Sequence, residues 1–234
     1  MSRNPLLAAP RRAFLATLLL WTGAAEASDV TMLAHEPTQK TAHPPLIVLL
    51  HGAGADERDM VSMWRDLPPD FVVVSPRGPF RDGGGFSWYR KTSRAADIAL
   101  SRKIVELIVQ KSVERFDADP RRVFLGGFSQ GGVMTYEVAL HDPERFAGAV
   151  VLSGSMFPSA LAGVASVGLA HDPFFIGHGT ADPRIPIAAA TAARSSLEHL
   201  GVPVAFHAYP GMGHATNESE TQDLAAWLAA RSGG

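Results

Sequence analysis

Residues 122–132 read Arg-Val-Phe-Leu-Gly-Gly-Phe-Ser-Gln-Gly-Gly, an apolar run ending in one hydroxyl set among glycines. Gly127-Phe128-Ser129-Gln130-Gly131 has the G-x-S-x-G spacing of a nucleophile elbow. In such an elbow a sharp strand-to-helix turn lifts the serine above a sheet edge, and small neighbours let strand and helix approach. The bare pentapeptide is a weak signal that a flexible glycine turn would also give. The β-rich run before it and the helical pattern after it give it weight. Serine is a poor nucleophile at its own pKa, so Ser129 needs a base, and the base needs an orienting carboxylate.

With this elbow the partners are expected in the chain order Ser, Asp or Glu, His. Downstream histidines stand at 141, 171, 178, 199, 207 and 214. His214 lies in Pro-Gly-Met-Gly-His-Ala-Thr, after the last strand pattern and before the last helical one, with glycines that let the ring reach the serine. His178 and His207 sit inside apolar strand runs and face packing or a neighbour. His141, His171 and His199 lie near helix ends or loops. For the acid, Asp182 follows Phe-Phe-Ile-Gly-His-Gly, at the carboxyl end of a strand pattern. Asp172 precedes that strand, and Asp142 and Asp223 sit in helical surroundings. The reading is Ser129 as nucleophile, His214 as base and Asp182 as its orienting acid; for Asp182 alone, a turn before Pro183 is the plain alternative.

Acyl transfer also needs donors for a developing negative oxygen. The backbone N–H of Gln130, next after the nucleophile, is one candidate. Ala53, in Leu-Leu-His-Gly-Ala-Gly-Ala-Asp, is the other. His51 is expected to orient this loop by hydrogen bonding. A dinucleotide fingerprint at Gly52 and Gly54 would need a third glycine where Glu57 stands. Trp88, Phe80, Met156, Phe157 and Met212 fall on or near the same loops and could line a substrate pocket; each could equally tuck into the core.

These residues need a frame. Apolar runs recur at 45–51, 71–77, 122–128, 147–154, 173–179 and 204–210. They are continuous rather than alternating, which suits strands covered on both faces. Helical patterns lie between them, near 57–67 (with Asp56 as a candidate cap), 94–116, 132–140, 187–200 and 218–230. The alternation predicts an open, mostly parallel sheet with helices on both faces, whose function gathers at the carboxyl ends of the strands. Residues 79–87 read as a mobile loop.

The chain has 234 residues with 21 basic and 23 acidic side chains, so charge gives no reason to expect nucleic acid or an anionic membrane as partner. Residues 1–27 read as a cleavable export signal: basic start, apolar core from Ala13 to Trp21, and a small-x-small end at Ala25-Glu26-Ala27. Arg11-Arg12 before Ala-Phe-Leu gives it a twin-arginine character; an ordinary secretion signal or an uncleaved anchor is the plain alternative. A periplasmic or secreted location is expected, with no stable membrane insertion after cleavage. Residues 28–234 form one catalytic domain, held without disulfides because the chain has no cysteine.

With these residues in hand, the chain resembles the phospholipase/carboxylesterase branch of the α/β-hydrolases, which includes acyl-protein thioesterases and small bacterial carboxylesterases. The carrying motifs, in the family's order, are LLHGAGAD, PRGP, GFSQGG, SGS, HGTADPRIP and GMGH, over residues 45–231. The resemblance implies an α/β-hydrolase fold without a large cap domain, and no metal or organic cofactor. It implies cleavage of small carboxylic esters or thioesters through an acyl-enzyme, by a monomer or homodimer. Ser129, Asp182 and His214 match the family's triad, and Ala53 and Gln130 its oxyanion hole. Ala53 is smaller than the residue many of the thioesterases carry there. An export signal is also foreign to a cytosolic depalmitoylating enzyme. Lactone hydrolase, polysaccharide esterase or peptidase activity would use the same triad; a binding protein on the same scaffold is the non-enzymatic alternative.

Overall fold

The computed structural model describes residues 17–20, 30–164 and 172–233. In chain order the elements are β1 (Thr17–Leu20), β2 (Thr31–His35), β3 (Leu46–Leu50), β4 (Val72–Pro76), β5 (Phe80–Asp82), β6 (Gly85–Ser87) and α1 (Arg94–Phe116). There follow β7 (Val123–Phe128), α2 (Gln130–Ala139), β8 (Gly148–Leu152), α3 (Pro158–Leu161), β9 (Phe174–Gly179), α4 (Ile187–His199), β10 (Val204–Tyr209) and α5 (Glu218–Ser232). Eight strands make one sheet in the order β1-β2-β4-β3-β7-β8-β9-β10. From β4 to β10 every pairing is parallel, and β2 runs antiparallel to both of its neighbours.

Why the apolar runs are continuous is now visible. Neighbouring residues of one strand enter cores on opposite faces. Leu46, Val48 and Leu50 pack with Val105 and Val109 of α1, Met134 of α2 and Leu197 of α4. Ile47 and Leu49 pack with Met60, Met63 and Trp64 and with Leu224, Trp227 and Leu228 of α5. All five residues of β3 are fully buried. Each such side chain contributes roughly 1.5–3 kcal/mol of transfer free energy, which keeps both parities of β3 apolar.

The helix spacing at 94–116 holds over its whole length: α1 buries Ile98, Val105, Ile108 and Val109 in one stripe. It stops at Asp117, left-handed at φ 50°. The pattern at 57–67 does not become an α-helix. Only a 3-10 turn forms, Asp59–Met63, and Asp56 does not cap it. Instead Asp56 Oδ1 accepts the N–H of Arg58 at 2.9 Å, a local turn that competes with helix nucleation. Nor do residues 79–87 read correctly as a loop: β5 and β6 pair as a hairpin around Gly83-Gly84, with Gly83 at φ 57°. The turn signal Asp-Gly-Gly between two short β-compatible triplets was present in the sequence. β2, five residues long and paired on both sides by β1 and β4, gives too short a pattern to read from the sequence.

The segment read as an export signal lies outside the described residues except for the backbone of β1. Between Ser153 and Asp172 the described residues hold only the four-residue α3 and turns, and no large cap domain is present. No helix among the described residues is long and apolar enough to cross a membrane.

Candidate active site

Ser129 caps the N-terminus of α2 at φ 54°, ψ −111°, a left-side conformation that a non-glycine residue adopts only under tertiary constraint. Its neighbours supply that constraint. A Cβ on Gly127 would sit 2.4 Å from the Gly131 carbonyl carbon, and one on Gly131 would sit 2.1 Å from the Leu50 carbonyl oxygen. Strand β7, helix α2 and the end of β3 therefore meet backbone to backbone. The Ser129 N–H donates to the Leu152 carbonyl at 2.9 Å, which ties the turn to β8.

The loops after β9 and β10 bring the other two side chains to this turn. Ser129 Oγ lies 2.9 Å from His214 Nε2, and His214 Nδ1 lies 2.7 Å from Asp182 Oδ2. The second carboxylate oxygen, Oδ1, accepts the N–H groups of Arg184 and Ile185 at 2.8 and 2.9 Å. Burial alone would raise the Asp182 pKa. The Ile185 N–H, the His214 ring and the Arg184 N–H outweigh it, and the carboxyl titrates below its ordinary value. Asp182 therefore stays an acceptor at neutral pH and fixes the proton of His214 on Nδ1, leaving Nε2 to accept from the serine. The Phe128 ring packs 5.0 Å from the imidazole, centroid to centroid, and limits its rotation.

No other histidine reaches Ser129. His178 Nε2 donates to the Ile185 carbonyl at 2.8 Å and lies 3.5 Å from Asp182 Oδ2, and so braces the loop that carries Asp182. His207 stacks on Phe175 and faces Asp223. His141 bonds the Glu137 carbonyl, and Asp172 accepts the N–H of Glu144 at the far end of β9. His171 lies outside the described residues.

The loop holding Ala53 lies against the serine: a Cβ on Gly52 would be 3.6 Å from that of Ser129. Neither Ala53 nor Gln130 has a backbone N–H acceptor among the described residues. His51 positions the loop, donating from Nδ1 to the Gly52 carbonyl at 2.7 Å and accepting the Gly78 N–H on Nε2 at 2.9 Å. That pattern needs a neutral ring, and burial lowers its pKa accordingly.

Three supports were not foreseen. The Gly54 N–H donates to the Phe86 carbonyl at 2.9 Å and the Phe86 N–H to the Ala55 carbonyl at 2.7 Å, so the β5–β6 hairpin grips the loop. Buried Glu57 takes a two-pronged contact from Arg77 at 2.6 and 2.8 Å, and that guanidinium covers the Phe86 ring at 4.4 Å. The Gln130 side chain, considered only for its backbone, accepts the Trp88 N–H at 2.6 Å and donates to the Tyr89 carbonyl at 2.8 Å. Spacing could not show these, because their hydrogen bonds join residues 20 or more apart.

Of the residues read as candidate pocket lining, Trp88 is fully buried, and its indole N–H donates to the His51 carbonyl at 3.0 Å; it supports the loop from within the core. Phe80 is half-buried beneath the Arg90 guanidinium. Met156, like Phe157, packs against the core, and Met212 is buried. The recess beside His214, about 280 Å³, is walled by Met60, Met63 and Phe128 with Asp59 and Thr216. No group of three or more His, Asp or Glu among the described residues is placed to hold a metal ion.

Residues 35–232 match the family model described as Phospholipase/Carboxylesterase. The chain belongs to this family. It is 34% identical over 130 residues to a protein of Arabidopsis thaliana named probable carboxylesterase SOBER1-like, a match covering 55% of this chain and 49% of that protein. The chain thus spans about half the length of that plant relative. It is 31% identical over 151 residues to acyl-protein thioesterase 1 of Kluyveromyces lactis, covering 62% and 65% of the two chains. The crystal structure of the Bacillus cereus carboxylesterase superposes at TM-score 0.76 with 20% identity, over 89% of this chain and 96% of that one, and shares its fold.

Proposed function

We propose that this family member is a serine hydrolase that cleaves carboxylic esters, or thioesters, of small molecules through an acyl-enzyme. One observation carries the reading: the unbroken line from Asp182 Oδ2 through His214 to Ser129 Oγ, at 2.7 and 2.9 Å. Ser129 Oγ attacks the carbonyl carbon while His214 Nε2 takes its proton. Negative charge collects on the carbonyl oxygen, facing the N–H groups of Ala53 and Gln130. The tetrahedral species collapses, the bond to the leaving group breaks, and His214 returns the proton to the departing oxygen or sulfur. Water, deprotonated by the same nitrogen, then releases the acid and restores Ser129. Asp182 holds the imidazole in the required tautomer and stabilises its charged form. The names borne by the relatives, carboxylesterase and acyl-protein thioesterase, agree with this chemistry.

Ser129→Ala is expected to lower hydrolysis of short p-nitrophenyl esters by several orders of magnitude, with an unchanged circular-dichroism spectrum. Wild-type protein should take a fluorophosphonate label at Ser129. A folded alanine variant with full activity would sink the reading. Residues 1–27 read as an export signal, and on that reading the protein acts in the periplasm or outside the cell without β1, which lies within the removed segment; N-terminal sequencing of the mature protein, expected to begin at Ser28, tests that part.

A further inference from the structure

We propose that the groove leading away from His214, between the 3-10 turn and the start of α5, is the leaving-group subsite, and that it selects a neutral, hydroxyl-bearing alcohol over one carrying phosphate. This rests on the esterase reading above. In acylation the Ser129 Oγ–carbon bond forms and the carbon–oxygen bond to the alcohol breaks. The proton taken by His214 Nε2 goes to that alcohol oxygen. The oxygen must therefore sit within hydrogen-bond reach of His214, and the rest of the alcohol must occupy whatever space adjoins the ring.

That space is defined. The 280 Å³ recess at His214 shares Ser62, Met63 and Thr216 with a second hollow of about 550 Å³, so the two lie side by side along one surface groove. Near the ring its wall is partly apolar, with Met60 and Phe128. Farther out it becomes polar, with Arg65, Asp66, Asn217 and Glu218. A carbon skeleton bearing hydroxyls fits that change: its methylenes meet the thioether and ring, and its hydroxyls meet side-chain oxygens and an amide.

Charge then narrows the class. Asp59, Asp66 and Glu218 set three carboxylates against the single guanidinium of Arg65. Among the described residues, no ion pair links Arg65 to any of them. A helix N-terminus ordinarily favours an anion. At α5 that preference is met internally: Asn217 Oδ1 accepts the Glu220 N–H at 2.8 Å, and Glu218 occupies the first turn. A phosphate entering this groove would meet an excess of negative charge. At about 4 Å in a water-exposed setting one such charge changes affinity about fivefold, and salt weakens the effect.

The test uses two substrate series on the purified protein. One keeps the butyryl group and varies the alcohol: 1-monobutyrylglycerol against its 3-phosphate. The other keeps p-nitrophenol and varies the acyl group, acetate against butyrate. The glycerol ester is expected to exceed its phosphate by about tenfold in kcat/KM. The double variant Asp66→Lys/Glu218→Lys, at exposed positions, should shrink that ratio about fivefold or more, and less so at high salt. It should not shift the ratio between acyl groups. The proposal is overturned if wild type prefers the phosphate ester, if charge reversal leaves the alcohol ratio unmoved, or if the acyl ratio moves instead. Turnover of p-nitrophenyl butyrate with neither glycerol ester hydrolysed overturns the proposed occupant while leaving the esterase reading intact. Loss of p-nitrophenyl turnover and of fluorophosphonate labelling in wild type removes both.

Discussion

Asp182 spends one carboxylate oxygen on His214 Nδ1, at 2.7 Å, and the other on the N–H groups of its own loop. The carboxylate thus shapes the loop that presents it as well as holding the imidazole. Asp182→Asn is expected to keep much of the loop geometry, because the amide oxygen can still accept the two N–H groups. Its nitrogen would then face His214 Nδ1 as a donor and force the wrong tautomer. A fall of about 10⁴-fold in kcat at neutral pH, measured on p-nitrophenyl butyrate, is the expected result.

The same carboxyl gives a stability prediction at acid pH. Its folded pKa lies below the ordinary 3.8. Its contribution is therefore complete above that value and disappears as pH falls through the lower folded value. Wild type should lose stability steeply at the acid end of a urea-denaturation series. Asp182→Asn should show a shallower slope there; identical slopes would argue that other carboxyls govern acid unfolding.

Arg77 joins the end of β4 to buried Glu57 and covers Phe86, whose backbone grips the Ala53 loop. Arg77→Met preserves much of the side-chain volume but leaves the buried Glu57 carboxylate with only the more distant Arg58, at 3.5 Å. A loss of about 3 kcal/mol in unfolding free energy is expected. kcat should fall more than KM rises, because a loosened loop misplaces the Ala53 N–H where charge develops. Pairing the variant with Glu57→Gln, which removes the stranded charge, should recover part of the stability. No recovery would deny that the pair is coupled.

Glu220 lies fully buried in the first turn of α5, and neither of its carboxylate oxygens has a partner among the described residues. Burial pushes its pKa up to about 8. The unfolded chain ionises near 4.5, so between these values the unfolded state releases a proton that the folded state keeps. Stability should decline as pH rises across that window. Glu220→Gln should raise Tm by about 5 °C at pH 8 and change it little at pH 4.5. A Tm difference independent of pH would show that the carboxyl is ionised in the folded protein.

The strands that run through the core were readable because burial on both faces makes every position apolar, as in β3 and β8. α1 was readable because one buried stripe recurs at helical spacing. Where tertiary partners outweighed local pattern, the reading failed. The 57–67 segment buries Met60, Met63 and Trp64 like a helix face, yet its start is diverted by the Asp56 turn. Trp88, which the sequence left open between pocket lining and core, is a core residue whose indole N–H has a carbonyl to bond inside the protein.

The sequence by itself determined the alternation of the parallel strands with their helices, the elbow at Ser129, and the strand ends at which Asp182 and His214 stand. Those follow from hydrophobic period and from glycines in fixed places, which are local quantities. Only the tertiary structure decided that three side chains from distant loops close to 2.7 and 2.9 Å. It alone supplied the hairpin, the Glu57–Arg77 pair and the Gln130 amide that hold the facing loop, and the charged groove beyond His214. Those depend on contacts between residues far apart in the chain, and no local pattern carries such distances.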